Sequence, residues 1–390
     1  MKNSDSIINH IFQPIQIGSL TVPNRIVMAP MTRGFSPNGI PGQDVSSYYR
    51  RRAEGNVGLI ITEGIGIDHP AAIGDSGLGD GNQPILHGEA ALNQWKTIVD
   101  NVHAAGGLIA PQLWHQGPLR INDTGLHPDA LSCRPSPSGG PADRTTSFSP
   151  EVVAKLNSPT KAMSDSDIAD TIAAYTRSAA NAKAVGFDAI ALHGAHSYLI
   201  DAFLWADTNQ RTDRWGGDLR NRTRYGTEVV KSIRAEIGPD MPIIFRFSQW
   251  KQSDFLAQIA KNPSELEIIL DALSGAGVDI FDASTRRYEK AAFPDIDKYL
   301  TLAGWAKKIT GKPAIAVGGI GLDGDLYDSM KTGGSASSDN IYDVAKRIEK
   351  GEFDFAAVGR ALISDPDWVK KLKSDENPNP FNLTDLAELV

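Results

Sequence analysis

Eight short runs rich in Val, Ile and Ala alternate along the chain with longer segments of helical periodicity. This alternation predicts repeated βα units, because a short apolar run suits a buried parallel strand and the longer segment suits the helix that follows it. The runs are residues 25–29, 57–62, 108–112, 189–192, 243–247, 280–283, 314–317 and 355–358. Eight strands in this rhythm predict an α/β fold closed as a (β/α)8 TIM barrel.

The segments around these runs support the same fold. Apolar residues recur at helical spacing in residues 166–185 and in residues 221–237, which predicts two of the outer helices. Residues 12–22, with a turn at Gly18-Ser19, predict a β-hairpin. We expect this hairpin to close the bottom of the barrel.

Two long insertions interrupt the βα rhythm. Residues 118–159, dense in Pro, Ser and Gly, follow the third strand, and residues 333–338 follow the seventh. Loops of such length are usually functional lids or flexible surface. We expect residues 1–390 to form a single domain around one barrel.

Composition excludes several classes of partner. The formal net charge is −8, and the only short basic cluster is residues 50–52. A negative chain without a larger basic surface is not expected to bind nucleic acid. A single cysteine, Cys133, excludes an intrachain disulfide and any cluster that needs several thiolates. Residues 1–9 lack the pattern of a secretory signal, and no uncharged apolar run reaches ~18 residues. We therefore predict a cytoplasmic protein without a membrane partner.

Glycines follow the last two predicted strands. In TIM barrels the chemistry lies at the carboxyl ends of the strands, and the turns after strands seven and eight often bind phosphate. Gly318 and Gly319 follow strand seven, and Gly359 and Arg360 follow strand eight. Backbone N–H groups and a guanidinium there predict a phosphorylated ligand. The alternative is that the glycines form tight turns and Arg360 makes a surface ion pair.

Three polar residues at other strand ends suit a flat heteroaromatic ring. Gln112 ends strand three, Arg246 lies near the end of strand five, and Thr32 follows strand one. An amide pairs with ring N–H and carbonyl groups, and a cation stabilises negative charge on a reduced flavin. Each residue alone has an ordinary structural explanation. Together with a phosphate site, they favour flavin mononucleotide (FMN) as the cofactor.

The segment His193-Gly-Ala-His196-Ser-Tyr198 carries the most specific chemistry. Two imidazoles just past a strand can donate hydrogen bonds to one carbonyl oxygen and stabilise an enolate. A phenol is a suitable proton donor to the carbon beside it. The segment thus predicts two electrophilic groups and one acid.

Two other interpretations of this segment stay open. His193 and His196 could bind a metal ion together with Glu63 or Asp282, as in barrel hydrolases. Alternatively, Tyr198 packs in the core and the histidines cap backbone groups. The metal interpretation leaves Gln112, Arg246 and the phosphate turn unexplained.

From residue 12 to about residue 368, the chain resembles the old yellow enzyme family of NAD(P)H and flavin oxidoreductases. The strings that carry the resemblance are residues 20–25 (LTVPNR), 29–33 (APMTR), 58–63 (GLIITE), 112–115 (QLWH), 193–199 (HGAHSYL), 211–217 (RTDRWGG), 221–222 (NR) and 359–361 (GRA). Thr32 stands where some bacterial members have a cysteine, so the chain looks closer to the threonine-bearing branch. Ser197 and Tyr225 depart from the glycine and phenylalanine that are common in the family.

The resemblance implies a non-covalent FMN. Thr32 would lie near the flavin N5 edge, Gly64 and Gln112 along the pyrimidine, and Arg246 at N1. The residues to which it assigns cofactor contacts are Pro30, Met31, Thr32, Gly64, Gln112, Arg246, Gly318, Gly319, Gly359 and Arg360.

The resemblance also implies an ene reductase that acts on activated alkenes. Hydride would pass from NADPH or NADH to FMN, and from flavin N5 to the β-carbon of an enone or nitroalkene. His193 and His196 would bind the substrate oxygen, and Tyr198 would donate the proton. Trp114 would restrict the substrate pocket, unless it is ordinary barrel packing.

Larger relatives add an iron–sulfur site and nucleotide domains to this barrel. With Cys133 alone, we expect hydride to come from a soluble nicotinamide instead. The alternatives are a flavin- and phenol-binding barrel with incidental nitro-compound or quinone reductase activity, and a metal-dependent hydrolase. The sequence leaves open a homo-oligomer, the physiological alkene and the choice between NADPH and NADH.

Overall fold

A computed structural model describes residues 7–77, 81–141, 145–146, 148–158 and 160–390. The strands of the described residues are β1 Ile15–Ile17, β2 Leu20–Val22, β3 Ile26–Met28, β4 Leu59–Gly66, β5 Ile109–Trp114, β6 Ile190–His193, β7 Ile243–Phe247, β8 Ile280–Ser284, β9 Ala314–Val317, β10 Gly334–Ser335, β11 Phe355–Val358 and β12 Phe381–Asn382. Eight of these strands run parallel and form a closed barrel in the order β11-β3-β4-β5-β6-β7-β8-β9. The predicted TIM barrel is confirmed, with one strand in each of the eight runs.

The predicted end of the second barrel strand is wrong by four residues. The run at residues 57–62 predicts a strand that stops before Glu63, whereas β4 continues to Gly66. The pairing of β4 with β5 shifts register between Ile61 and Gly64, so an irregularity separates two paired stretches. Such a bulge bends a strand locally and re-aims its side chains.

The barrel strands separate two apolar layers, because successive side chains point to opposite faces. One cluster of buried residues fills the barrel interior and the other lies between the barrel and the helices. The interior cluster contains Val27, Leu59, Ile61, Ala110, Ala191, Ile244, Ile280, Ile315, Phe355 and Ala357. Alternate residues of the same strands belong to the outer cluster.

Helices surround the barrel. The longest, Asp165–Val185, begins at a capping box of Ser164 and Asp167 and ends at Gly186, which has a positive φ of 98°. The α-helices of the described residues are Gln43–Glu54, Glu89–Ala104, Pro150–Asn157, Asp165–Val185, Leu199–Leu204, Leu219–Ile237, Pro263–Ala276, Leu302–Thr310, Leu326–Thr332, Ile341–Glu349, Arg360–Ser364 and Trp368–Lys373. The two predicted helices are confirmed, with starts one and two residues earlier. Nowhere in the described ranges does a helix have the length and apolar content to cross a bilayer.

The predicted N-terminal hairpin is confirmed as an antiparallel pair of β1 and β2. Ile17 and Val22 belong to the interior cluster of the barrel. The hydroxyl of Ser19 donates to the carbonyl of Asp240 at 2.8 Å, just before β7 begins. The hairpin therefore lies at the amino end of the strands and leaves the carboxyl end open.

The two predicted insertions are present. The first contains the helix Pro150–Asn157, and its residues 142–144, 147 and 159 lie outside the described part of the chain. The buried Arg120 organises its first half, because the guanidinium donates to the carbonyls of Thr124, His127 and Ala130. In the second insertion, β10 pairs with β12.

Candidate active site at the carboxyl end of the barrel

A layer of polar side chains lies directly above the apolar interior of the barrel. Each of its members stands two positions after an interior apolar residue, so its side chain also faces inward. These residues are Gln112 on β5, His193 on β6, Arg246 on β7 and Asp282 on β8. His193 pairs in register with Arg246, and Arg246 with Asp282, so neighbours in this layer are also neighbours in the sheet.

Each residue of this layer has a buried polar atom that the surrounding protein does not satisfy. Among the residues that the structure describes, no hydrogen-bond partner reaches Gln112 Nε2, His193 Nδ1, Arg246 Nη2 or Asp282 Oδ1. Leaving a buried donor or acceptor unpaired costs about 1–3 kcal/mol. Four such atoms on adjacent strands indicate a site that a polar ligand completes.

Arg246 and Asp282 form a buried ion pair. Their side chains are 6% and 1% exposed, and Arg246 Nε donates to Asp282 Oδ2 at 2.6 Å. Burial raises the pKa of the Asp282 carboxyl, and the adjacent guanidinium opposes that rise. The pair therefore fixes the guanidinium at the centre of the polar layer.

Aromatic rings line the same opening. The ring of Tyr198 meets those of Trp114 and His193 edge-on, at centroid distances of 4.9 and 4.6 Å. The His193 ring lies 5.1 Å from that of His196, which in turn lies 4.4 Å from the ring of Trp250. The structure thus brings the predicted Trp114, His193, His196 and Tyr198 together, and adds Trp250.

Both imidazoles are held in the neutral form. Burial, aided by the nearby Arg246, lowers the pKa of His193 well below its ordinary value. Burial also lowers the pKa of His196, with further contributions from His193, Arg246 and Lys251. Neutral imidazoles carry one N–H each, so each ring can donate a single hydrogen bond.

Ser284 fixes the ring of His196. Its hydroxyl lies 2.9 Å from His196 Nε2, and its carbonyl accepts from Trp250 Nε1 at 3.2 Å. If the hydroxyl donates to Nε2, the imidazole proton resides on Nδ1 and can be donated to another group. Sequence reasoning did not assign Ser284 or Trp250 a function.

A buried ion pair holds the turn that carries these rings. His196 and Ser197 have positive φ values of 65° and 73°, which explains why glycine suits the Ser197 position. The N–H of Ser197 donates to Asp201 Oδ2 at 2.7 Å, and Asp201 Oδ1 accepts from Lys251 Nζ at 2.5 Å. Both charged side chains are 0% exposed. Sequence reasoning missed this pair.

Glu63 positions the segment after β3. Its Oε2 accepts the backbone N–H groups of Arg33 and Gly34 at 2.9 and 3.0 Å. Burial raises the pKa of Glu63 to about 7 against the effect of these hydrogen bonds. The adjacent Thr32 is exposed, whereas Pro30 and Met31 are half-buried.

Gly64 leaves room for an indole ring. A Cβ atom there would lie 2.5 Å from Cε3 of Trp114. Trp114 is 1% exposed and therefore packs into the barrel as well as facing the opening. The packing and substrate-pocket interpretations of Trp114 are thus compatible.

Gly318 and Gly319 follow β9, Gly359 and Arg360 follow β11, and Arg360 makes internal contacts. Gly318 and Gly319 have positive φ values of 135° and 68°, and an added Cβ at Gly359 would lie 3.3 Å from Met31 Sδ. The guanidinium of Arg360 donates to the carbonyls of residues 324 and 325 at 2.8 and 3.0 Å. These bonds use some of the five N–H groups of the guanidinium and orient it from within the protein.

A sequence model of the NADH:flavin oxidoreductase / NADH oxidase family matches residues 10–379. The chain belongs to this family, the old yellow enzymes. The predicted resemblance is therefore confirmed.

Individual relatives differ in length. A metal reductase of Desulforamulus reducens is 31% identical over 373 residues, which are 93% of this chain but 48% of that protein. The putative 12-oxophytodienoate reductase 11 of Oryza sativa is 30% identical over 374 residues, 95% of this chain and 92% of that protein. The chain thus spans about half the length of the first and most of the second. A structure of morphinone reductase in complex with tetrahydroNAD has a TM-score of 0.76 at 26% identity and covers 96% of this chain and 93% of that one.

The polar layer fits the FMN that the family name implies. The unpartnered amide of Gln112 and guanidinium nitrogen of Arg246 are donors for the carbonyl and N1 edge of an isoalloxazine ring. Gly318 and Gly319, which have positive φ values and are half-buried, follow β9 next to this layer. Gly64 lies beside Gln112 in the neighbouring strand, and the space next to its Cα is filled by the indole of Trp114.

One group among the described residues brings three potential metal ligands within 4.8 Å of one another: His69, His115 and Cys133. Nδ1 of His115 accepts the N–H of Gly117, and Nδ1 of His69 accepts that of Ala71. These bonds place the proton of His115 on Nε2, which faces His69 Nδ1 at 3.3 Å. Burial raises the pKa of the Cys133 thiol to about 12. The two histidines therefore form a hydrogen-bonded pair beside a buried thiol, whereas a metal ion would need a free imidazole lone pair and a thiolate.

The other candidate metal ligands, His193 and His196 with Glu63 or Asp282, are engaged in other contacts. Asp282 is paired with Arg246, and Glu63 with backbone N–H groups. The two histidines contact aromatic rings and Ser284. No described contact links either carboxylate to these histidines.

Proposed function

We propose that this old yellow enzyme is an FMN-dependent ene reductase that uses NADPH or NADH. Its substrates would be α,β-unsaturated carbonyl compounds or nitroalkenes. The observation that carries the proposal is the coincidence, at one barrel opening, of an unsatisfied polar layer with the rings of His193, His196 and Tyr198. Relatives named 12-oxophytodienoate reductase and morphinone reductase support this class of substrate.

FMN, when bound, supplies the chemistry of accepting a hydride and passing it to carbon. Gln112 and Arg246 would bind its ring, beside Gly64 and the segment Pro30-Met31-Thr32. Gly318, Gly319, Gly359 and Arg360 would bind its phosphate. This assignment uses every unsatisfied donor that the polar layer presents on β5 and β7.

The two imidazoles would bind and polarise the substrate oxygen. His193 has a buried ring nitrogen without a partner in the described chain, and it is neutral. His196 can donate from Nδ1 when the Ser284 hydroxyl donates to Nε2. Preorganised donors of this kind stabilise the negative charge that forms on oxygen as hydride reaches the β-carbon.

Tyr198 would donate the proton to the α-carbon. Its ring is 6% exposed and is clamped by the edges of Trp114 and His193, so the hydroxyl is held in one place. A phenol is neutral at pH 7 and remains available as a donor. Trp114, which is 1% exposed, would exclude water from this side of the substrate.

Stopped-flow measurements on Tyr198→Phe test the proposal. We expect NADPH or NADH to reduce the bound flavin at an unchanged rate, and an enone to reoxidise it about 10²-fold or more slowly, as loss of a general acid predicts. Tyr225→Phe is the matched control, because Tyr225 is also buried and its hydroxyl bonds to Thr171. Enone reoxidation of Tyr198→Phe at the wild-type rate would contradict the role of Tyr198.

The wild-type protein distinguishes the remaining functions. A yellow protein that releases FMN on denaturation and turns over simple enones supports an ene reductase. Flavin binding with reduction of quinones or nitro compounds, but no enone turnover, favours the incidental reductase. A colourless protein that takes up no FMN would refute both.

A further inference from the structure

Asp282 has no part in the function proposed above, although it belongs to the polar layer. It is 1% exposed and stands two positions after Ile280, so its side chain faces the barrel interior. One carboxylate oxygen binds Arg246, and the other, Oδ1, is buried with no partner in the described chain. A buried anion with one unsatisfied oxygen is costly unless a ligand supplies a donor.

The position of β8 indicates which part of a ligand would meet that oxygen. In the barrel order β8 lies between β7, which carries Arg246, and β9, which leads directly into Gly318-Gly319. If Arg246 binds the flavin ring and the glycine turn binds the phosphate, the connecting segment passes over β8. In FMN that segment is the ribityl chain, which carries hydroxyl groups. A hydroxyl group donates a strong hydrogen bond to a carboxylate oxygen.

The ion pair has a second consequence for the cofactor. A lone guanidinium beside a reduced flavin would favour the reduced, anionic form strongly, because opposite charges attract more in a low-dielectric interior. Asp282 lies 2.6 Å from Arg246 Nε and offsets part of that charge. With FMN bound, this carboxylate would influence both the binding of the cofactor and its reduction potential.

We propose that Asp282 is a cofactor-binding residue whose Oδ1 accepts a hydrogen bond from a ribityl hydroxyl of FMN, while Oδ2 positions Arg246 and offsets part of its charge. This inference rests on the proposed function, because it needs FMN in the barrel. It assigns a function to a residue that sequence reasoning considered only as a metal ligand.

Flavin binding to the protein stripped of its cofactor tests the hydrogen bond. Riboflavin carries the ribityl chain, whereas lumiflavin has a methyl group in its place. We expect Asp282→Asn to weaken riboflavin binding about tenfold more than lumiflavin binding, because the amide oxygen stays with Arg246 Nε and an NH2 group replaces the charged acceptor Oδ1. Asp279→Asn is the control: Asp279 precedes the same strand and is paired with Arg234 at the opposite end of the barrel. We expect the control to bind both flavins as the wild type does.

The reduction potential of bound FMN tests the charge. Asp282→Asn leaves the Arg246 charge uncompensated and should favour the reduced flavin about tenfold, which raises the potential by about 30 mV for a two-electron couple. Equal weakening of riboflavin and lumiflavin, or a potential no higher than that of the wild type, overturns the proposal.

A second measurement needs no variant. Wild-type protein is titrated with FMN analogues that each lack one ribityl hydroxyl, and one of them should bind about tenfold more weakly than FMN. Equal binding of all analogues overturns the proposal even if Asp282→Asn does not fold. A protein that binds no flavin contradicts the proposed function, whereas one that binds FMN regardless of Asp282 contradicts this inference alone.

Discussion

Asp201→Asn would leave the ammonium group of Lys251 in the core without its counter-charge. Both side chains are 0% exposed, and among the described residues the other acceptor of Lys251 Nζ is the Ser248 carbonyl at 3.3 Å. Breaking a buried ion pair by removing one partner typically costs about 3–5 kcal/mol. Burial lowers the pKa of Lys251, and Asp201 opposes this, so the variant should lose less stability as pH rises and the amine deprotonates.

Urea unfolding with saturating FMN measures this cost. Asp100→Asn is the matched control, because it breaks an exposed pair with Lys96 whose side chains are 57% and 59% exposed. The control should lose less than about 1 kcal/mol. The double variant Asp201→Leu/Lys251→Met should regain most of the lost stability, because it removes both charges together.

The same double variant separates stability from positioning. Without Asp201, the N–H of Ser197 loses its acceptor and the turn that carries His196 and Tyr198 loses its anchor. We expect slow enone reoxidation of the flavin even where stability is restored. If Asp201→Asn costs no more than Asp100→Asn, or if the stable double variant turns over enones at the wild-type rate, the reasoning about this pair is refuted.

Two further perturbations test the polar layer and the segment beside it. Because burial raises the folded pKa of Glu63 to about 7 from 4.5, its contribution to stability is complete below pH 4.5 and is lost as pH rises through 7. The unfolding free energy of wild type minus that of Glu63→Gln should therefore fall by roughly 3 kcal/mol between those pH values, and a pH-independent difference would exclude the raised pKa. Gln112→Leu removes an unsatisfied buried amide, so the cofactor-free protein should be as stable as wild type or more stable in urea, while FMN binding weakens about tenfold. A variant that loses stability but retains FMN affinity would make Gln112 a structural residue.

The barrel was predictable because its signals are local. Each apolar run and helix has its own periodicity, and Ser164 and Gly186 are visible helix-capping residues in the sequence. The polar layer was partly predictable for the same reason. Gln112 and Arg246 each stand two positions after an interior aliphatic residue of the same strand. Asp282 also stands two positions after such a residue, and this spacing would have assigned it to the polar layer.

Other parts of the site depend on contacts between segments that are distant in sequence. Lys251 and Asp201 are 50 residues apart, and Ser284 and His196 are 88 apart. Their meeting depends on strand register and on loop conformation, neither of which has a local pattern. The internal contacts of Arg360 are a similar case, since the loop that carries its acceptors follows a different strand.

The unsatisfied atoms of the polar layer also have a consequence for the protein outside the catalytic cycle. A ligand that binds only the folded chain stabilises it, by about 2.7 kcal/mol at a free concentration of one hundred times its dissociation constant. If FMN fills the layer, folding and cofactor uptake are one equilibrium. The abundance of intact protein in a cell would then follow the supply of flavin, and starvation for riboflavin would remove the protein itself as well as its activity.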